Sequence, residues 1–175
     1  SKLKLNGIPN SLSAFLVAHV RSKIDSDILV LTAEMEGAEK WRDDLQAIIG
    51  KDNVSYFPAW ENNIYENTAL TQEVSALRIE TATHLSQGVR RIIVAPAVAL
   101  LVPLIPPHAL ELCTLKLQLE QHHDINTVLS HLLETGFDQV NAVDNIGQFS
   151  LRGGILDVYP NSANHPFRIE FFDDE

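Results

Sequence analysis

Apolar residues recur with helical spacing at Leu12, Phe15, Leu16, His19, Val20 and Ile24, and predict a helix opened by Ser11 as its N-cap. The run DILVLTA, 27–33, is short, apolar and β-branched, as a buried strand is. Residues 34–50 return to helical spacing, with Ala38, Trp41, Leu45 and Ile48 on the inward face and Gly50 as the stop. VSYFP, 54–58, is a strand that leaves into the polar and aromatic loop AWENNIYENTAL. A long helix over 71–88 ends at Gly88, and RRIIVAP, 90–96, is another buried strand. Strands alternating with helices predict a parallel sheet covered on both faces.

The pattern changes at VPLIPPHA, where Pro103, Pro106 and Pro107 crowd the chain. We place a domain boundary there, with one α/β domain over 1–105 and a small α+β domain over 106–175. In the second, Leu112, Leu115, Leu117 and Leu119 partly alternate. A helix follows over 124–136, capped by Asp124 and stopped by Gly136. QVNAV, QFSLR, ILDVYP and FRIEFF are short strand candidates for an antiparallel sheet.

Side-chain alternation sorts the last strands into faces. Phe149 and Leu151 share one face, Ser150 and Arg152 the other. Carried through unbroken, that parity would bury Asp157. A one-residue shift turns Leu156 and Val158 inward, and a bulge at Gly153–Gly154 supplies it. In FRIEFF, Phe167, Ile169 and Phe171 face inward, while Arg168, Glu170 and Phe172 face outward. Arginine and aromatic side chains are the types enriched at interface hot spots, so Arg152, Arg168 and Phe172 form a candidate partner-binding patch. The competing structural account is that both arginines neutralise acidic neighbours.

Charge sharpens this. The chain of 175 residues carries −10 overall, with a mean hydropathy near zero. Residues 106–175 contribute −8 of it and hold only three cations, Lys116, Arg152 and Arg168. Such an acidic lobe is repelled by phosphate backbones, which argues against nonspecific nucleic-acid binding. No apolar run approaches the roughly 18 residues of a bilayer span. A single cysteine, Cys113, provides no internal disulfide and fits a reducing cytoplasm. The absence of an initiator methionine and the ending FFDDE are what a piece of a longer protein would have.

Catalytic chemistry is sparse. A phosphate-binding P-loop needs Gly-x4-Gly-Lys-Ser/Thr. In GIPNSLSA, Gly7 matches, but Leu12, Ser13 and Ala14 stand where the second glycine, the lysine and the hydroxyl should be. We therefore expect no ATP binding and no cofactor. His122, His123 and His131 lack the ligand spacing of a metal site. Cys113, in a leucine-rich stretch, is expected to be a small buried hydrophobe rather than a nucleophile. Trp60 and Tyr65 fit packing on the sheet rim better than stacking on a base, and Asp43–Asp44 and Asp173–Glu175 fit solvated faces.

Three stretches, YFPAWENNIYENTALTQEVSALRIETATHL, RRIIVAPAVALLVPLIPP and GQFSLRGGILDVYPNSANHPFRIEFFDDE, follow the order seen in the UvrB-homology module of bacterial transcription-repair coupling factors. The chain resembles that family over nearly its whole length. The excision-repair protein UvrB has a similar module but an intact P-loop, and typically Asp where Gly154 stands. The resemblance implies a degenerate helicase-like (P-loop NTPase-type) α/β domain followed by a small UvrA-binding domain. It implies a non-enzymatic role for this stretch, recruiting UvrA to stalled RNA polymerase through Arg152, Arg168 and Phe172, with Gly153, Gly154 and Glu170 in support. It further implies a cytoplasmic parent with an ATP-driven motor elsewhere, contacts to the parent's other domains, and polymerase and DNA contacts through the full-length protein only. After Glu175 the parent chain would return to complete the first domain. The alternative is a UvrB-like ATP-dependent fragment that loads the excinuclease on damage.

Overall fold

The strand most completely apolar in sequence, IIVAP, becomes the centre of a sheet. In a computed structural model of the chain, residues 4–8, 11–60, 68–161, 163 and 165–172 are described, with only the backbone described over 68–72. They divide into two compact units, Ser1–Asn62 with Glu80–Pro103, and Asn63–Ile79 with Leu104–Glu175.

The first unit holds α1 (Leu12–Arg21), β1 (Ile28–Thr32), α2 (Met35–Ile49), β2 (Val54–Tyr56), the second half of α3 (Thr68–Ser86) and β3 (Ile92–Pro96). The three strands run parallel in the order β1-β3-β2, so β3 lies in the middle and every one of its residues is buried. This is the parallel sheet that the alternation of elements predicts. Gly50 and Gly88 stop α2 and α3 with φ of 85° and 66°, conformations that only glycine adopts without strain. Arginines tie the far end together. Arg21 donates to Asn53 Oδ1 at 2.8 Å and to the Arg90 carbonyl at 3.1 Å. Arg90 returns a bond to the Arg21 carbonyl at 3.2 Å and pairs with Asp25 at 3.0 Å, so it closes the C-terminal end of α1, where carbonyls lack helical partners.

Two expectations for this unit change. The apolar stripe that marks α1 in the sequence is not the face it buries. Leu12, Phe15, Leu16, Val20 and Ile24 are exposed, and Ala14 is buried, with Val17 and Ala18 beside it half-buried. Both stripes repeat with helical period, and the small side chains allow the closer approach to α2. The sheet is likewise not covered throughout: Leu29 and Leu31 of the edge strand β1 are about half exposed. Tyr65 lies outside the described residues, as do Asp173, Asp174 and Glu175.

The second unit holds α4 (Pro107–Leu112), α5 (Ile125–Glu134), β4 (Asp138–Gln139), β5 (Gln148–Arg152), β6 (Ile155–Tyr159) and β7 (Phe167–Glu170). Its sheet has the order β4-β5-β6-β7 and is mixed rather than purely antiparallel, because β4 runs parallel to β5. Of QVNAV only Gln139 is in a strand. Val128 and Leu132 of α5 pack on Phe149, Leu156 and Val158, with Leu117, Phe137, Leu151, Ile169 and Phe171 around them. Of the alternating leucines only Leu117 reaches this core. Leu112, Leu115 and Leu119 are exposed, and so is Cys113, which caps the short helix α4 instead of lying buried. Residues 114–121 form no strand, so nothing folds Cys113 under the sheet.

Asp124 caps α5 as its position predicts, accepting from the Asn126 and Thr127 backbone N–H groups at 3.1 and 3.2 Å and from the Thr127 hydroxyl at 2.8 Å. These bonds, the Thr127 hydroxyl foremost, hold its carboxyl below the ordinary carboxylate value. A group with a depressed folded pKa adds stability above its unfolded pKa, about 4, and loses it as pH falls through the folded value. Thermal melts are therefore expected to be flat from neutral pH down to that region and to fall below it. Asp124→Asn, which still caps, should keep the neutral-pH melting temperature and reduce the acid decline.

Candidate functional site

The answer to the paired glycines is a turn, not a bulge. Residues 149–159 form two antiparallel strands, and Gly153–Gly154 are the two-residue loop between them, with Arg152 opposite Ile155. Only Gly153 carries positive φ, 62°, the pattern of a type II′ hairpin. A two-residue reversal moves side-chain parity by the same single step that a bulge would. Leu156 and Val158 accordingly point inward and are buried, as expected. Continuous-strand parity could not distinguish the two devices, because each flips the faces identically.

Gly154 has a different task. A Cβ there would sit 2.8 Å from the Phe171 carbonyl oxygen, while the Phe171 N–H donates to the Gly154 carbonyl at 2.8 Å. The turn and the end of β7 thus approach backbone to backbone, and this contact sets where the chain places Phe172. Gly154→Ala is expected to force these backbones apart, lowering the melting temperature by several degrees and shifting the amide resonances of Phe171 and Phe172. A variant with wild-type stability and spectrum would show that the approach is not needed.

The core-averted face of the sheet carries Arg152 and Ile155 from the hairpin, Asp157 from the middle strand, and Arg168 and Glu170 from β7. Asp157 lies directly across from Arg168 and diagonally from Arg152. Arg168 binds it with a fork, Nε to Oδ1 at 2.7 Å and Nη2 to Oδ2 at 2.9 Å. Arg152 adds a longer contact, Nη2 to Oδ2 at 3.3 Å. The Asp157 side chain is 15% exposed, beneath guanidinium-bearing side chains that are 59% and 64% exposed. Its carboxyl is held below the ordinary range, chiefly by the Arg168 hydrogen bonds, then by both positive charges.

Arg152 and Arg168 therefore share one carboxylate, and the expectation that they face outward together holds. So does the competing expectation that they neutralise acidic neighbours: with Asp157 and Glu170 the patch is locally balanced. Phe172 lies in a bend two residues past the end of β7, beyond the reach of strand parity, and is 70% exposed. Ser150 departs from the simple alternation. It lies on this side of the strand yet is buried, its hydroxyl donating to the Asn141 carbonyl at 3.1 Å, because the loop after β4 covers that end.

Asp157 and Ile155 are the members that sequence reasoning left out of the site. A two-residue Gly-Gly turn pins Arg152 opposite Ile155, and counting outward places Asp157 on the arginine face; that signal was available. The arrangement offers hydrogen-bond donors and an aromatic ring, and no nucleophile or proton-transfer pair. Among the described residues no group of three His, Cys, Asp or Glu side chains is placed to hold a metal, and no helix is long and apolar enough to cross a membrane. Of the P-loop positions, the matching Gly7 lies in a loop with φ of 69°, and the lost ones fall in the first turn of α1, where Leu12 is exposed, Ser13 half-buried and Ala14 buried.

Residues 115–175 match the family model of the UvrB interaction domain, a span that contains the whole arginine face. Over 171 residues the chain is 29% identical to the transcription-repair-coupling factor of Bacillus subtilis strain 168, covering 98% of this chain. It is 28% identical over 171 residues to that of Staphylococcus aureus strain USA300, again covering 98%. The chain matches transcription-repair-coupling factors over nearly its whole length. It spans 14% and 15% of the length of those two relatives.

Proposed function

We propose that the chain is a non-enzymatic docking module of a transcription-coupled repair factor, and that its ligand is the excision-repair protein UvrA. Arg152, Arg168 and Phe172 make the contact; Gly153, Gly154 and Glu170 shape it. The observation that carries this reading is the exposed arginine pair on the core-averted face, within the span that matches the UvrB interaction domain. Exposed guanidinium groups favour carboxylates and carbonyls, and an exposed phenylalanine favours an apolar pocket, which is the chemistry of a protein surface.

In this reading residues 1–105 are a degenerate helicase-like domain that binds no ATP, since Leu12, Ser13 and Ala14 replace the groups that hold phosphates. Residues 106–175 are the UvrA-binding domain. Polymerase, DNA and the ATP-driven motor belong to the full-length protein. The direct test is titration of purified UvrA with the 175-residue chain by calorimetry. A micromolar dissociation constant, with no heat from ATP alone, is the expected result. No binding at millimolar chain, or micromolar binding of ATP, would remove the corresponding part of the assignment.

A further inference from the structure

One carboxylate on the middle strand holds side chains from both of its neighbours. Asp157 engages Nε and Nη2 of Arg168 and Nη2 of Arg152. Among the described residues, Nη1 of Arg168 and both Nε and Nη1 of Arg152 have no partner, so each guanidinium group keeps donors to offer. Asp157 is itself mostly covered by the two side chains above it, so it is poorly placed to be presented to a ligand.

We propose that Asp157 is a positioning residue for docking: its carboxylate fixes the Arg152 and Arg168 guanidinium groups in one orientation before an acidic protein surface arrives. This rests on the docking reading above. The physical reason is rotamer entropy. An unrestrained arginine must be immobilised on binding, and a bidentate contact made in advance removes most of that cost. The opposing effect is competition, in which Asp157 occupies donors that the partner would otherwise use. The two differ in sign. Loss of a positioning carboxylate weakens binding although the surface becomes more positive; loss of a competitor tightens it.

The test is Asp157→Asn in the 175-residue chain. UvrA affinity should fall about tenfold, while the same substitution made on an Arg168→Ala background should weaken it no further, because there the uncovered carboxylate repels an acidic surface. In nitrogen-15 NMR of the wild-type chain, the Arg168 Nε–H resonance should be sharp, separate and slow to exchange, and in Asp157→Asn it should merge with the other exposed arginines. Wild-type or tighter affinity of a folded Asp157→Asn chain overturns the proposal. If that variant does not fold, the wild-type spectrum decides: an Arg168 Nε–H signal indistinguishable from exposed arginines also overturns it. Should Arg152→Ala and Arg168→Ala bind UvrA as wild type does, the docking reading falls and the positioning role with it, whereas wild-type affinity in Asp157→Asn alone overturns only the positioning role.

Discussion

Arg168→Ala is expected to weaken the proposed UvrA binding by well over tenfold, and by more than Arg152→Ala, for which about tenfold is expected. The asymmetry comes from Asp157. Arg168 satisfies that carboxylate with two short bonds, whereas Arg152 adds one of 3.3 Å. Removing Arg168 deletes a donor from the docking face and also uncovers a carboxylate beside it, which an acidic partner would meet with repulsion. Removing Arg152 leaves the Arg168 fork intact. Because the two arginines share Asp157, the double variant should not show the product of the two single losses. Calorimetric titration of UvrA with the three variants measures this. Equal effects from the two single variants would mean that Asp157 does not favour Arg168 over Arg152, and wild-type affinity in both would remove the site.

Phe149→Ala is expected to abolish the second unit's ordered core. Phe149 is 1% exposed and stands among Val128, Leu132, Leu156 and Val158. Truncating a buried phenylalanine costs roughly 3–5 kcal/mol through lost transfer energy and the cavity left behind. Domains have only about 5–15 kcal/mol in total, and this one is small. The expected outcome is loss of amide protection over 148–152 and 155–159 in hydrogen exchange, with loss of UvrA binding as the consequence. Phe149→Leu, which retains most of the volume, should keep both. Protection unchanged in Phe149→Ala would mean that the sheet does not depend on this side chain.

Much of this molecule was legible locally. The ends of α2, α3 and α5 are written by Gly50, Gly88 and Gly136, each with the positive φ that ends a helix, and the start of α5 by Asp124. The inward residues of β5 and β6 follow from alternation, and so does the outward placement of Arg152 and Arg168. Those features depend on neighbours within a few positions, so period and turn chemistry suffice to read them. Even the mistaken bulge gave correct faces, since a hairpin and a bulge shift parity alike.

Other features needed the whole fold. The α1 sequence presents two helical stripes, and only the approach of α2 selects Ala14 for burial over Phe15. Leu29 looks like a core residue in its own strand and is exposed because β1 ends at the sheet's edge. Cys113 lies outside because the leucines after it never join the sheet. Asp157 is one more acidic residue in the sequence, and becomes the centre of the site only when three strands align Arg152, Asp157 and Arg168 across their register. The physical division is one of distance along the chain. Backbone conformation and side-chain parity are set by adjacent residues, whereas which face is covered, and which charges meet, is set by segments that only folding brings together.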